Sequence, residues 1–534
     1  MDRHPLRAHL VACFAGVLMV GPGVGAGLAR GEDGFRPGFT FFEPVKPPRP
    51  VQVMAHRGLA RQAPENTAPA IELAIADGLE WVEVDVRRSK DGVHFLAHDS
   101  KLDGKTDGKG TVEGTDAETL RNLDAGSSFA RRFATTRLPT LAEALGLAKD
   151  RINLCLDIKS GEPGEIVDEI LKAGMQAQVV VFGPADLIAK VRDLSQGRVA
   201  TLAKWHPADG VEAFLAKVKP AAVEVDANEL TEEVCRQFHA KGVRVEAKVL
   251  GNDWDKPEVW SRAIKAGADW IQTDLPQDVL WRSIVDRKVR KASQVAFHRG
   301  ASWYAPENTM PAIERAKALG ADYVEVDIRT TKDGRFFLLH DGNLGRTTNG
   351  EGPIKNQTAD AIAKLEAGAW YGQLFATEPV PTFDAGLKAL KGHAHVYLDA
   401  KEITPEALAA KIEEYGIADE SVVYQHPDYL AKLKAINPKI RLMPPLKDPK
   451  QIDELAAKLK PYAVDASWGI LSKEVIDRCH AHGIRVFSDA LGLHENVADY
   501  LKAIEWGIDV IQTDHPTRVW RAFEILDAAA AKQP

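Results

Sequence analysis

The feature that most constrains this chain is a repeat. MAHRGLARQAPENTAPAIELA begins at Met54, and AFHRGASWYAPENTMPAIERA begins at Ala296. The register between them persists: His56 and His298, Glu83 and Glu325, Asp85 and Asp327, His98 and His340, Asp157 and Asp399, and Lys159 and Lys401 are each 242 positions apart. It slips only late in the copies, where Asp274 of WIQTDLP and Asp514 of VIQTDHP are 240 apart. Such a spacing describes two complete units of about 235 residues, not a short motif used twice. A duplicated scaffold accounts for the spacing. It does not account for the identity of His-Arg-Gly and Pro-Glu-Asn-Thr, which has to come from chemistry.

Within the first copy, short apolar runs alternate with segments of helical period. The runs are VQVMAH from Val51, WVEVDV from Trp81, INLCLDIK from Ile152, QVVVF from Gln178, VATLAKW from Val199, AAVEV from Ala221, VRVEAKV from Val243 and DWIQT from Asp269. Stretches such as TLAEALGLA and TEEVCRQFHAKG supply the helices between them. This alternation predicts an α/β protein of two tandem (β/α)8 TIM barrels, with an open doubly wound sheet as the alternative. At 534 residues the chain exceeds one ordinary core and accommodates two such barrels. The expected boundaries are a signal peptide at 1–29, a Pro-rich N-terminal arm at 30–50, a first barrel at 51–288 and a second at 289–534. The join falls at RKVRKAS, Arg287 to Ser293.

Barrels of this kind build their sites at the C-terminal ends of the strands. His56 ends the first run there, Asp157 and Lys159 end the third, and Lys248 and Asp274 fall near the ends of the last two. Glu83 and Asp85 are two apart, so on a strand they share a face, as do Asp157 and Lys159. Three carboxylates directed into one mouth repel one another unless a cation lies among them. An all-oxygen donor set suits Ca²⁺ or Mg²⁺ better than zinc. The lone histidines His94, His239 and His480 read as structural. Glu65 and Glu307 stay outside the metal site, because Pro-Glu-Asn-Thr reads as the start of the first helix, with Asn66 or Thr67 satisfying backbone groups. Glu224, Asp226 and Asp465 are further acids within reach of the mouth.

The balance of 68 basic against 76 acidic residues, a net charge of −8, leaves no footprint for nucleic acid. An anionic substrate must then be held locally. Arg3 and Arg7 precede an apolar stretch from Leu10 to Ala26 followed by small residues, which reads as an export signal. Gly16, Gly21, Pro22 and Gly23 interrupt that stretch short of the roughly 20 apolar residues of a membrane span. LVAC at Cys13 precedes the apolar core, unlike a lipoprotein site. The expected location is periplasmic or extracellular, with no transmembrane segment in the mature chain and no protein partner. Cys155, Cys235 and Cys479 are too few and too scattered for a disulfide framework. GFRPGFTFFEPVKPPRP, Gly34 to Pro50, reads as a spacer.

Taken in order, His-Arg-Gly, Pro-Glu-Asn-Thr, Glu-x-Asp, His-Asp before a turn, and a strand ending in acid-x-Lys resemble the glycerophosphodiester phosphodiesterase family over nearly all of both copies. The resemblance implies Glu83, Asp85 and Asp157 as ligands of a divalent metal, His56 and His98 as acid/base residues, and Arg57 and Lys159 as phosphate contacts. In the second copy it implies Glu325, Asp327 and Asp399, His298 and His340, and Arg299 and Lys401, with Arg346 as an additional substrate-binding cation. It also implies the reaction, hydrolysis of a small-molecule glycerophosphodiester to glycerol 3-phosphate and an alcohol, by the family's route through a cyclic phosphate. Elementary chemistry makes the same demands. An unreactive anionic diester needs a cation to offset developing charge and groups that move protons near neutral pH, as histidines do.

Some residues depart from the family pattern. Both copies carry Asp where the third acid is more usually Glu, one methylene shorter, which predicts longer or water-mediated ligation. HDGNLGRTTNGEG of the second copy is close to the family form, whereas HDSKLDGKTDGKG of the first has Gly104 where Arg346 stands. Neither copy has the Trp-Thr signature of the penultimate strand, and Lys248 matches Asp489, so the two rims predict different head groups. Two other functions fit the same chain. One is a lysophospholipase D-like lipid phosphodiesterase, for which Trp303 and Tyr304 are the aromatic support. The other is a non-catalytic binding module derived from the enzyme, against which both copies keep every histidine and acid. The export reading predicts a mature chain starting near Gly27 or Arg30, and N-terminal sequencing of the secreted protein checks it. A secreted product still beginning at Met1 contradicts it.

Overall fold

The computed structural model describes residues 38–531; the expected signal peptide and the start of the arm lie outside the described residues. All eight runs of the first copy form parallel strands. These are β1 (Gln52–His56), β2 (Trp81–Arg88), β4 (Asn153–Ile158), β5 (Val179–Phe182), β6 (Ala200–Lys204), β7 (Ala222–Asp226), β8 (Arg244–Lys248) and β9 (Trp270–Thr273). Pairing of β1 with both β2 and β9 closes the barrel. A ninth strand, β3 (His94–Leu96), runs antiparallel to the outer end of β2. It follows the turn at Asp91 and Gly92, where Gly92 has φ 97°, a left-handed conformation that suits glycine in a hairpin.

The second barrel repeats the plan with β10 (Gln294–Phe297), β11 (Tyr323–Thr330), β12 (Phe336–Leu338), β13 (His395–Asp399), β14 (Ser421–Tyr424), β15 (Arg441–Met443), β16 (Pro445–Leu446), β17 (Ala463–Ala466), β18 (Arg485–Asp489) and β19 (Val510–Thr513). β15 and β16 are one strand interrupted at Pro444. Pro444 and Pro445 have no N–H to donate, so the ladder passes from β14 to β17 at that point. The amides of Tyr462 and Asp465 donate to the carbonyls of Leu442 and Pro444, both at 3.0 Å, and keep the ring joined.

Amphipathic helices cover both barrels. In the helix Pro163–Ala173, Ile166, Val167 and Ile170 form the buried stripe, and Gly174 ends it at φ 71°. Inside the first barrel, Met54, Trp81, Val180, Leu202 and Trp270 fill one end. Phe41, from the segment before β1, closes that end with its ring 5.2 Å from Trp81 and 5.1 Å from Trp270. The amides of Gly38 and Phe42 donate to the carbonyls of Gly242 and Ala177. The described part of the expected arm is therefore packed structure.

The two barrels share one continuous apolar cluster. The last helix of each, Pro276–Asp286 and Pro516–Ala530, meet with Trp281 and Trp520 5.1 Å apart. Arg49 is buried between Glu80 at 2.6 Å and Glu524 at 2.8 Å, tying the arm to both units. Among the described residues no helix is long and apolar enough to cross a membrane.

Asp77, at the same interface, accepts a hydrogen bond from Gln277 at 2.9 Å. Burial pushes its carboxyl up to about 6, against the Gln277 bond and the charge of Arg518. Its unfolded value lies near 3.9. The folded state therefore binds the proton more readily, and stability falls as pH rises from about 4 through 6, by up to about 3 kcal/mol. In denaturant melts, Asp77→Asn should gain on the parent protein across that window and hold a constant difference above it. A difference independent of pH would contradict the assignment.

Candidate active sites

The His-Arg-Gly string turns the chain off the end of β1. Arg57 has φ 58°, and this left-handed turn points its amide at Glu83 Oε2, 3.0 Å away. Gly58 follows at φ 78°, where a Cβ would stand 2.7 to 2.9 Å from the side chain and carbonyl of Ala70 on the first helix. The second barrel does the same. Arg299 has φ 52° and donates to Glu325 at 2.7 Å, and a Cβ on Gly300 would meet Ala312 at 2.8 to 3.0 Å. The identity of the string follows from one loop that must both approach a helix and cap a buried carboxylate.

Pro-Glu-Asn-Thr has a different role from the one the sequence implied. The first helix, Ala68–Ala76, has Pro in its first turn and no side-chain cap from Thr67. Asn66, at φ 57°, instead faces Asp85: its Nδ2 donates to Oδ2 at 2.8 Å and its Oδ1 accepts the Asp85 amide at 2.9 Å. Asn308 clamps Asp327 likewise, at 2.7 and 3.1 Å. Glu65 pairs with Arg57 and Lys105, and Glu307 with Arg299 and Arg346, outside the acidic clusters.

Parallel register brings the acids together. Asp85 on β2 is paired with Asp157 on β4, and Asp327 on β11 with Asp399 on β13. Glu83, Asp85 and Asp157 bring carboxylate oxygens within 4.8 Å of one another, as do Glu325, Asp327 and Asp399. Lys159 Nζ lies 2.7 Å from Asp157 and 3.2 Å from Asp85; Lys401 Nζ lies 2.5 Å from Asp399 and 3.4 Å from Asp327. Burial drives Glu83 well above the usual carboxylate range, and the charges of Asp85 and Asp157 add to it. Burial and Asp327 do the same to Glu325. Converging, buried, mutually repelling oxygen donors are a set that a hard divalent cation relieves, so the residues fit Ca²⁺ or Mg²⁺.

Each histidine is backed by an acid. His56 Nδ1 lies 2.7 Å from Asp274 and His98 Nδ1 2.9 Å from Asp99. His298 and His340 lie 2.9 and 2.7 Å from Asp514 and Asp341. An acid at Nδ1 fixes the tautomer and leaves Nε2 for proton transfer. Burial lowers His298, but the bond and charge of Asp514 outweigh it and hold the imidazole up at about 9. His94, His239 and His480 pair with Glu169, Asp269 and Asp509 outside these clusters.

Arg346 is engaged on both sides, by Glu307 at 2.7 Å and by Asp341 at 2.6 Å, so it braces the partner of His340. Glu246 was not among the candidates. It is fully buried at the cavity lined by Glu83, Asp85 and Asp157, neither oxygen has a hydrogen-bond partner, and it lies two before Lys248 on one strand face. In the second barrel burial and then Asp489 push Asp465 up to about 8. Trp303 packs on His515 at 4.0 Å and Tyr304 is buried.

The model of the Glycerophosphoryl diester phosphodiesterase family matches residues 56–278 and 298–518. The chain belongs to that family of enzymes, twice over. It is 29% identical over 244 residues to a glycerophosphodiester phosphodiesterase of Bacillus subtilis, covering 41% of this chain and 82% of the relative. It is 31% identical over 234 residues to one from Caldanaerobacter subterraneus subsp. tengcongensis, covering 42% of this chain and 94% of the relative. Among solved structures, a glycerophosphodiester phosphodiesterase from Agrobacterium tumefaciens is 29% identical, with 43% of this chain and 99% of the other covered at a TM-score of 0.40.

Gly58→Ala and Gly300→Ala should each cost more than about 1 kcal/mol, because a β-carbon at left-handed φ must also displace a helix backbone. Gly146→Ala, in an exposed helix position with nothing within 4 Å, should stabilise by up to about 1 kcal/mol. Chemical denaturation of the three variants checks the contrast. Equal effects at all three would contradict it.

Proposed function

We propose that the protein is an exported, metal-dependent glycerophosphodiester phosphodiesterase with two working sites, releasing glycerol 3-phosphate and an alcohol. The observation that carries this reading is the recurrence, in each family unit, of a complete set: three converging carboxylates, a lysine against them and two acid-backed histidines. A divalent cation held by Glu83, Asp85 and Asp157, or by Glu325, Asp327 and Asp399, supplies charge that offsets the anionic phosphoryl oxygens.

The chain's own residues do the rest. Lys159 and Arg57, and their counterparts Lys401 and Arg299, carry positive charge beside the acids where the phosphate must approach. One histidine of each pair takes the proton from the substrate's glycerol hydroxyl as its oxygen attacks phosphorus, the other gives a proton to the departing alcohol, and water then opens the cyclic phosphate to glycerol 3-phosphate with the two roles reversed. Asp274, Asp99, Asp514 and Asp341 keep Nδ1 engaged so that Nε2 faces the reaction. The N-terminal stretch read as an export signal is consistent with action on diesters outside the cytoplasm.

Arg346 gives the second site a braced Asp341, whereas Asp99 has no arginine at the matching position, Gly104. The second barrel therefore carries the larger share of turnover on simple diesters. Chelation should abolish glycerol 3-phosphate release, and Ca²⁺ or Mg²⁺ should restore it. His298→Ala with His340→Ala should remove most of the activity, and His56→Ala with His98→Ala should leave most of it. Loss of acid/base partners costs about 10²- to 10⁴-fold at one site, so the untouched barrel stays visible. Full turnover in chelated protein, or near-complete loss in the folded first-barrel variant, contradicts the reading.

A further inference from the structure

One cavity of about 190 Å³ in the first barrel is lined by Glu83, Asp85 and Asp157 and, from the other side of the ring of strands, by Glu224 on β7, Glu246 on β8 and Gln272 on β9. Glu246 is wholly buried and neither of its oxygens has a partner; Gln272 is 6% exposed, and its Oε1 has none either. Lysines stand beside them. Lys248 lies 3.4 Å from Glu224, and Lys204 lies 2.7 Å from Asp226 and 3.4 Å from Glu224. Each lysine thus has an acid of its own, and Glu246 is the acid left over. In the second barrel the matching position holds Phe487, since register sets Glu246 against Glu224 and Phe487 against Asp465. Phe487 is buried in one apolar cluster with Tyr397, their rings 6.3 Å apart, and Tyr397 stands where the first barrel has Cys155.

We propose that Glu246 and Gln272 form the first barrel's subsite for the terminal hydroxyl of the glycerol end, the one that takes no part in the attack, and that they make this barrel reject diols that lack it. The proposal rests on the first barrel being a working glycerophosphodiesterase. The acids, both histidines and the unpaired oxygens line the same cavity, so a three-carbon substituent on a phosphate held at the acids extends toward Glu246. Buried acceptors without partners are costly, and an apolar group placed there leaves them bare.

An ammonium group also supplies donors, but Lys248 and Lys204 repel it. Burial and then Glu224 raise the Glu246 carboxyl well above the usual range, against the charge of Lys248. A carboxyl that keeps its proton both donates and accepts, as a hydroxyl does, so a neutral hydroxyl pairs with Glu246 and with the Gln272 oxygen. The order of events favours the glycerol end over the alcohol. The alcohol leaves first and needs the open mouth, whereas the glycerol end stays until the cyclic phosphate opens.

The test uses the full chain with the second site silenced by His298→Ala and His340→Ala. Ethanolamine release is compared for glycerophosphoethanolamine and for its propane-1,2-diol analogue, which keeps the hydroxyl beside the phosphoester carbon and lacks the terminal one. kcat/KM should be higher for the glycerol diester by about 10²-fold or more. Glu246→Leu should lower that ratio by about tenfold or more, and Glu246→Gln, which keeps size and hydrogen bonding, by less than about threefold. A ratio near one in the silenced chain, or a ratio unchanged in Glu246→Leu, overturns the proposal; the first comparison needs no substitution in the cavity and stands whether or not Glu246→Leu folds. Glycerophosphoglycerol, with hydroxyls at both ends, should match glycerophosphoethanolamine to within about fivefold, and a preference for it of about 10²-fold gives the subsite to the head group and overturns the assignment. Release from neither ethanolamine diester rejects turnover by the first barrel, and binding then decides the subsite on its own. Calorimetric titration of glycerol 3-phosphate with Ca²⁺ present should show a site that Glu246→Leu weakens by about tenfold. No weakening overturns the subsite.

Discussion

The constraint on which the rest of each barrel depends is the convergence of three carboxylates from two neighbouring strand ends, the two on the first of those strands buried. Glu83 and Asp85 are almost wholly inside, and so are Glu325 and Asp327. In the absence of compensation, such groups give up their charge. The surrounding sequence reads as a list of compensations. The left-handed Arg57 turns an amide onto Glu83, Asn66 gives Asp85 both a donor and an acceptor, and Lys159 lies against Asp85 and Asp157. Every one of these contacts recurs in the second barrel, which is why the matching tripeptide and tetrapeptide hardly vary while the helices between them do.

Much of the fold was legible because a parallel barrel writes each strand as a continuous apolar run, buried on both faces. The acids were legible because two-residue spacing on a strand fixes the face. What escaped has a common cause: it depends on how loops return in space. Asn66 follows a proline-containing turn and looked like a helix cap, yet its side chain reaches β2, a contact no local spacing encodes. Gly58 is required by the backbone of Ala70, twelve residues on. Phe41 sits in a stretch whose prolines read as spacer, and only the closed barrel supplies the Trp81 and Trp270 rings that receive it. Glu246 is hidden by its own strand, since an acid in an apolar run gives no sign of which neighbours it lacks.

Arg346 was expected to be a substrate-binding cation, and the structure shows what its guanidinium contacts. A guanidinium near a phosphate site suggests contact with the anion. Here its fork is taken by two carboxylates, Glu307 and Asp341, and its charge is largely offset by theirs. Through Asp341 the same guanidinium is linked to His340.

The interface between barrels follows the same economy. The helices that meet are the last of each unit, and the loops that meet above them are also equivalent segments, residues 129–132 against 371–373. Tyr371 donates to the carbonyl of Trp303, in the loop that carries Arg299 and His298, while Arg132 donates to the carbonyl of Gln62 in the corresponding loop of the first barrel. The segment that holds each His-Arg-Gly loop thus also rests on the other barrel. The carboxylates and histidines tolerate no drift, because each is compensated by contacts within its own mouth. The two mouths thus keep the same carboxylates, lysines and histidines, while the rims that surround them differ, with Lys248 in one where Asp489 stands in the other.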